Sequence, residues 1–158
     1  MGLIDKDLVS VQETRDLLKK AKEAQKEIAK LSQEQIDTIC KAIAKAAFDN
    51  RVKLAKMAQE ETGFGRWQDK VLKNAFASRD LLNAIKDMKT VGIITNNIEA
   101  KYMEVAVPVG VIAGLIPSTN PTSTVIYKAL ISIKAGNAIV FSPHPSAVNC
   151  IKETVRII

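Results

Sequence analysis

Two polar loops hold the residues best suited to chemistry. Pro117-Ser118-Thr119-Asn120-Pro121-Thr122-Ser123-Thr124 carries hydroxyls and a carboxamide, and Ser142-Pro143-His144-Pro145 carries a hydroxyl and the chain's single histidine. Each loop follows a short apolar run, residues 110–116 and residues 138–141. Between them residues 122–134 read as a helix that Gly136 ends. Strand, loop, helix, strand, loop is the order of a parallel βαβ unit, whose loops leave the carboxyl ends of the strands on one edge. Helix N-termini on that edge offer unpaired N–H groups to anions, so the layout is that of a nucleotide site. Asn120 stands directly before Pro121, where an asparagine can cap the following helix as readily as it can serve a ligand.

The remaining elements must position those loops. Val11, Leu17, Leu18, Ala21, Ala24, Ile28 and Leu31 recur at helical spacing, with Ser10 and Glu13 spaced as a capping box. Ser32 and Gln35 repeat that signal ahead of Ile36, Ile39, Ile43 and Ala46, and a third helix from Arg51 ends near Gly63 and Gly65. A longer helix is expected from Trp67 to Met88, with Val71, Leu72, Ala75, Leu81, Leu82 and Ile85 facing a core. Trp67 reads as a packed anchor before it reads as a platform for a ligand base. Residues 91–95 and 101–107 fit a hairpin turning at Asn96-Asn97, and a last helix starts near Ser146. Two parallel strands are fewer than a doubly wound sheet contains, so a sheet of greater width is expected than these residues supply.

Composition narrows the class. The chain has 158 residues, 47% hydrophobic and 25% charged, enough for one globular domain. Only 4% of residues are aromatic, so the core is expected to be aliphatic, as in helix-covered parallel sheets. That predicts an α/β fold. The net charge of +6 is spread along helices in which acidic and basic residues alternate, a solvated pattern that argues against nucleic-acid binding. Cys40 and Cys150 match no metal-ligand spacing and read as packed small hydrophobes in a reducing compartment; no metal site is expected. No secretory leader and no apolar run of membrane-spanning length is apparent, which predicts a cytoplasmic protein without a membrane partner.

The wording of the two loops, Gly110-Val-Ile-Ala-Gly-Leu-Ile-Pro-Ser-Thr-Asn-Pro-Thr-Ser-Thr and Lys128-Ala-Leu-Ile-Ser-Ile-Lys-Ala-Gly-Asn-Ala-Ile-Val-Phe-Ser-Pro-His-Pro, resembles the aldehyde dehydrogenase superfamily. Within it, the likeness is to the CoA-acylating branch, the aldehyde dehydrogenase half of bifunctional aldehyde-alcohol dehydrogenases and their stand-alone acetylating relatives. Glu61-Thr-Gly-Phe-Gly-Arg, Asp69-Lys-Val-Leu-Lys-Asn-Ala-Phe-Ala-Ser and Lys89-Thr-Val-Gly resemble the same branch.

The resemblance implies an N-terminal helical layer over residues 1–90, a β-hairpin oligomerisation arm over 91–107, and the first part of a Rossmann-like NAD-binding unit over 108–158, with the catalytic domain absent. It implies the conversion of a short aldehyde, acetaldehyde or a relative, with NAD and coenzyme A to acyl-CoA and NADH, in a homo-oligomer. Ile116, Pro117 and Ser118 would line the dinucleotide site, and Ser142, Pro143 and His144 the adenosine loop. Where many non-acylating relatives have a lysine, Ser142 brings a hydroxyl without charge. His144 would contact a phosphate or ribose, or else fix the loop between its two prolines. Asn120 or Thr119 would stabilise the oxyanion: ungapped matching puts Thr119 at the family asparagine, and Asn120 lies one residue on. Cys150 falls in an ordinary helix of the family pattern, so the nucleophile is expected outside this sequence. The alternative is a non-catalytic NAD- or CoA-binding fragment.

Overall fold

The computed structural model describes residues 5–158. A helical layer comes first: α1 (Lys6–Ile28), α2 (Gln33–Asp49), α3 (Arg51–Thr62) and α4 (Trp67–Ala75), which runs through a π-turn (Phe76–Asp80) into the short α5 (Leu81–Ile85). A hairpin of β1 (Gly92–Asn97) and β2 (Tyr102–Ala106) follows, then β3 (Val111–Ile116), α6 (Pro121–Lys134), β4 (Ala138–Pro143) and α7 (Val148–Ile157). β1 and β2 pair antiparallel, whereas β3 and β4 pair parallel, from Val111 opposite Ala138 to Ile116 opposite Pro143. The α/β expectation and the βαβ order hold.

Several local expectations need correction. α1 starts at Lys6 with Asp5 at its N-cap, so Ser10 and Glu13 lie inside the helix and form no capping box. An exposed helix can begin at any earlier acceptable cap. The Ser32–Gln35 box does form. The stretch from Trp67 is not one regular helix, because Ser78 Oγ bonds the carbonyls of Asn74 and Ala75 and a π-turn widens the helix there. Its buried face carries Lys70, Asn74, Ala75, Ala77 and Ser78; of the expected apolar stripe Ala75 is buried and Leu81 and Leu82 pack against the core, while Leu72 turns outward at 70% exposure. The hairpin turns at residues 98–101, one step beyond Asn96-Asn97, with the Asn97 side chain accepting from the Ala100 N–H. β3 buries Gly114 and Ile116 but leaves Leu115 exposed, so it is covered on one face only.

α6 lies at the centre because both of its faces are apolar. Ile126 and Leu130 pack on Ile36, Cys40, Ile43 and Leu54 of α2 and α3, and Val125 packs with Ile116, Cys150 and Ile151. α1 lies across β4 without burying any residue completely. Both cysteines are buried free thiols, as expected. Among the described residues no helix is long and apolar enough to cross a membrane.

Buried polar clamps lock these layers. Asn74 is fully buried; its amide donates to the Arg51 carbonyl at 3.0 Å and its oxygen accepts the Thr122 hydroxyl at 2.9 Å. Lys134, 3% exposed, meets Asp37 at 2.6 Å and the Lys86 carbonyl at 3.1 Å. Gln33 bonds Asp37 and receives the backbone N–H groups of Thr90 and Val91. Burial pushes the Asp37 carboxyl upward, but the bonds from Lys134 and Gln33 outweigh it and leave the group below its usual range.

Asn74→Ala orphans a buried carbonyl and a buried hydroxyl, so a loss of about 2–3 kcal/mol in urea unfolding is expected. Asp37→Ala strands the buried Lys134 ammonium and is expected to cost about 3 kcal/mol; Lys134→Met, which leaves a partly exposed carboxylate held by Gln33, should cost less. Because the folded Asp37 pKa is depressed, its contribution is present above the unfolded pKa and is lost as pH falls through the folded value. The difference between wild type and Asp37→Asn should therefore shrink in acid, measured as unfolding midpoints from pH 7 down to pH 3.

Candidate functional site

The parallel register places the two loops side by side. Leu115 opposes Ser142, Ile116 opposes Pro143, and the His144 N–H continues the ladder to the Ile116 carbonyl at 3.0 Å. β4 thus runs through Pro143, two residues further than the apolar run indicated, because proline at a strand end loses no bond the ladder needs. A shallow cleft of about 330 Å³ opens there, lined by Leu115, Ile116, Pro117, Ser142, Pro143 and His144. Five of the six residues expected to hold the cofactor meet in it. Ser118 does not line it and lies half-buried on the way to the next turn.

The cleft is apolar with two polar tips. Ser142 is exposed and uncharged, and His144 Nδ1 accepts the Ser146 N–H at 3.1 Å, capping the turn Pro145–Ala147. Accepting at Nδ1 puts the ring proton on Nε2, which leaves that nitrogen a donor toward solvent. Lys128 reaches back from α6 to the Leu115 carbonyl at 2.7 Å and ties the helix to the strand end beneath the cleft.

Thr119 and Asn120 face a second region. Both line a hollow of about 260 Å³ with Phe64, Gly65, Arg66, Asp69, Lys70 and Lys73. Asn120 also borders a larger slot of about 500 Å³, whose other walls include Leu72, Phe76, Ser123 and Tyr127. Asn120 occupies the N-cap position of α6, with Pro121 following, but its side chain makes no cap bond. Its Oδ1 instead accepts from Lys73 Nζ at 2.9 Å, and Lys70 Nζ bonds the Thr119 carbonyl at 2.9 Å. The capping alternative therefore does not describe this side chain. Lys70 and Lys73 lie within the family-like stretch from Asp69, but their spacing gave no sign of a role at the site, since lysines three apart on an amphipathic helix look like solvated residues. Burial depresses the Lys70 pKa first, and neighbouring Lys73 adds to it.

Other residues lie elsewhere. Trp67 is half-buried under the Lys56 ammonium, 5.0 Å from the ring centroid, and lines neither cleft nor slot. Glu61 caps α7, its carboxylate accepting the N–H groups of Asn149 and Cys150 at 2.8 and 2.7 Å. Burial raises the Glu61 carboxyl, and those two bonds more than reverse it. Burial, then the neighbouring Glu61 carboxylate, pushes the Cys150 thiol up to about 12, and burial pushes Cys40 up to about 11. Thiols so placed remain protonated at neutral pH and are poor nucleophiles.

Comparison with known proteins places the chain's sequence and fold. Residues 6–158 match the aldehyde dehydrogenase family. The bifunctional aldehyde-alcohol dehydrogenase of Escherichia coli K12 is 46% identical over 151 residues, 96% of this chain and 17% of its own length. A solved probable aldehyde dehydrogenase from Listeria monocytogenes is 69% identical with a TM-score of 0.95, the match covering 97% of this chain and 34% of that one. A solved acetylating aldehyde dehydrogenase from Geobacillus thermoglucosidasius is 58% identical, also at TM-score 0.95, covering 98% of this chain and 34% of that one. The chain thus spans about a third of those solved relatives and about a sixth of the bifunctional enzyme. A family match over residues 6–158, together with two solved structures that superpose on the same fold, makes the chain a member of the aldehyde dehydrogenase family.

Proposed function

We propose that this chain supplies the cofactor-facing edge and the oxyanion loop of a CoA-acylating aldehyde dehydrogenase, which turns a short aldehyde, NAD and CoA into acyl-CoA and NADH. The observation that carries this reading is the convergence of Ile116, Pro117, Ser142, Pro143 and His144 on one strand edge, with Asn120 three residues beyond Pro117 on the same loop. The acetylating name of the Geobacillus relative supports CoA as acyl acceptor.

The residues present fit an adenosine moiety. Apolar walls from Leu115, Ile116 and Pro143 suit the base, and the Ser142 hydroxyl and His144 Nε2–H suit ribose oxygens. When bound, the nicotinamide would accept hydride from the substrate carbon. Asn120, bordering the larger slot, would donate from its amide to the oxyanion that forms when a thiolate attacks the aldehyde. Thr119 is the second candidate for that bond, since its hydroxyl lies on the same turn. The walls Leu72, Phe76 and Tyr127 would take the aldehyde's apolar end. The hairpin, with Ile93, Met103 and Val105 more than half exposed, would bury those side chains against another subunit. Two reduced, buried cysteines accord with a cytoplasmic setting.

A specific observation favours a narrower reading for residues 1–158 taken alone. Both thiols are buried and held protonated, so these residues bind cofactor without turning substrate over, and the nucleophile belongs to another part of the enzyme. In native protein at pH 7.5 neither cysteine should be alkylated by iodoacetamide within an hour, while both should react in urea, read by intact mass.

A segment exchange tests the larger claim. Residues 1–158 replace the matching segment of the Escherichia coli enzyme, and CoA-dependent NADH formation from acetaldehyde is followed. Retained activity is expected, with Asn120→Ala lowering kcat by about 10²–10³. A well-folded exchange without cofactor binding would sink the proposal.

A further inference from the structure

We propose that Lys73 is a positioning residue that decides which end of the Asn120 carboxamide faces the reacting oxygen. The inference rests on the oxyanion reading above and adds a residue to it. A carboxamide is nearly symmetric in shape, so packing alone barely distinguishes its oxygen from its nitrogen. An ammonium group does distinguish them, because it only donates hydrogen bonds. With Lys73 Nζ 2.9 Å away, the end of Asn120 turned toward α4 is Oδ1. The NH2 end then points away from α4, and among the described residues Nδ2 has no acceptor. It is a donor held ready, on a residue that borders both the hollow and the larger slot.

Three further observations show that this geometry is built. Lys70, one turn earlier on α4, is 5% exposed and anchors the Thr119 carbonyl, so backbone and side chain of the same turn are gripped from one helix. α4 itself is immobilised by Asn74, whose oxygen accepts from Thr122 two residues past Asn120. Neither Lys70 nor Lys73 has a carboxylate within 4.0 Å among the described residues, since Asp69 pairs with Arg66. With no carboxylate in ion-pair contact, the Lys73 ammonium polarises the amide it holds and strengthens its N–H as a donor. Without Lys73 the amide can turn over and present an oxygen to the developing negative charge, which repels it.

Lys73 is exposed, so replacing it should not disturb folding. In the 158-residue chain, labelled with nitrogen-15 and carbon-13, Lys73→Met should shift the Asn120 side-chain NH2 and carbonyl resonances, and Lys73→Arg should largely preserve them. Unchanged resonances in Lys73→Met would overturn the inference. In the exchanged enzyme, Lys73→Met should lower kcat on the order of tenfold, short of the 10²–10³ for removing the donor itself, with aldehyde KM little changed and Lys73→Arg recovering most of the loss. If Asn120→Ala impairs turnover and Lys73→Met does not, the Lys73 role alone falls. If Asn120→Ala has no effect on kcat, the oxyanion reading falls and takes the Lys73 role with it.

Discussion

The buried carboxamide of Asn74 joins three elements, α3, α4 and α6. Its nitrogen bonds the first carbonyl of α3 and its oxygen bonds the hydroxyl of Thr122 in the first turn of α6. An unpaired amide in that position would cost more than the bonds return, so the network is either complete or strongly unfavourable. Completeness fixes α4 against the loop before α6. Lys70 and Lys73 sit on successive turns of α4, and their reach to Thr119 and Asn120 depends on where Asn74 holds that helix. The π-turn directly after it, where Ser78 bonds two preceding carbonyls, lets the chain keep Asn74, Ala77 and Ser78 inward together.

The second clamp acts at the opposite end of α6. Lys134, Asp37 and Gln33 connect α2 with the chain entering β1, and the Thr90 hydroxyl bonds the Lys134 carbonyl. α6 is thus held by polar contacts at both ends and by aliphatic packing along both faces. A helix fixed in this way is a rigid base for the loop at its start. The strand edge gains the same rigidity from Lys128 and from the His144 ladder bond. A site assembled on elements so constrained needs little rearrangement to accept a ligand, which lowers the entropic cost of binding.

Much of the fold was legible in the chain itself. The Ser32–Gln35 box, the glycines after α3 and α6, and the polar loops after two apolar runs are short-range signals, and the structure follows them. Motif wording reached further still and pointed to the family before any packing was known. The expectations that failed include the Ser10–Glu13 box, the regular helix from Trp67 and the place of Leu72 on its inner face. In each case local pattern competed with something it does not contain: another acceptable cap, a side-chain bond to the backbone, or the buried Asn74 network beside which Leu72 faces outward.

Tertiary structure alone decided the site's details. Lys73 and Asn120 are 47 residues apart, Asn74 and Thr122 are 48, and Glu61 and Cys150 are 89. No periodicity relates such pairs. The residue types and their local order follow from propensity and capping, which act over a few positions. Whether Asn120 caps its helix or is held by a lysine depends on which helix lies across from it, and that depends on the whole core.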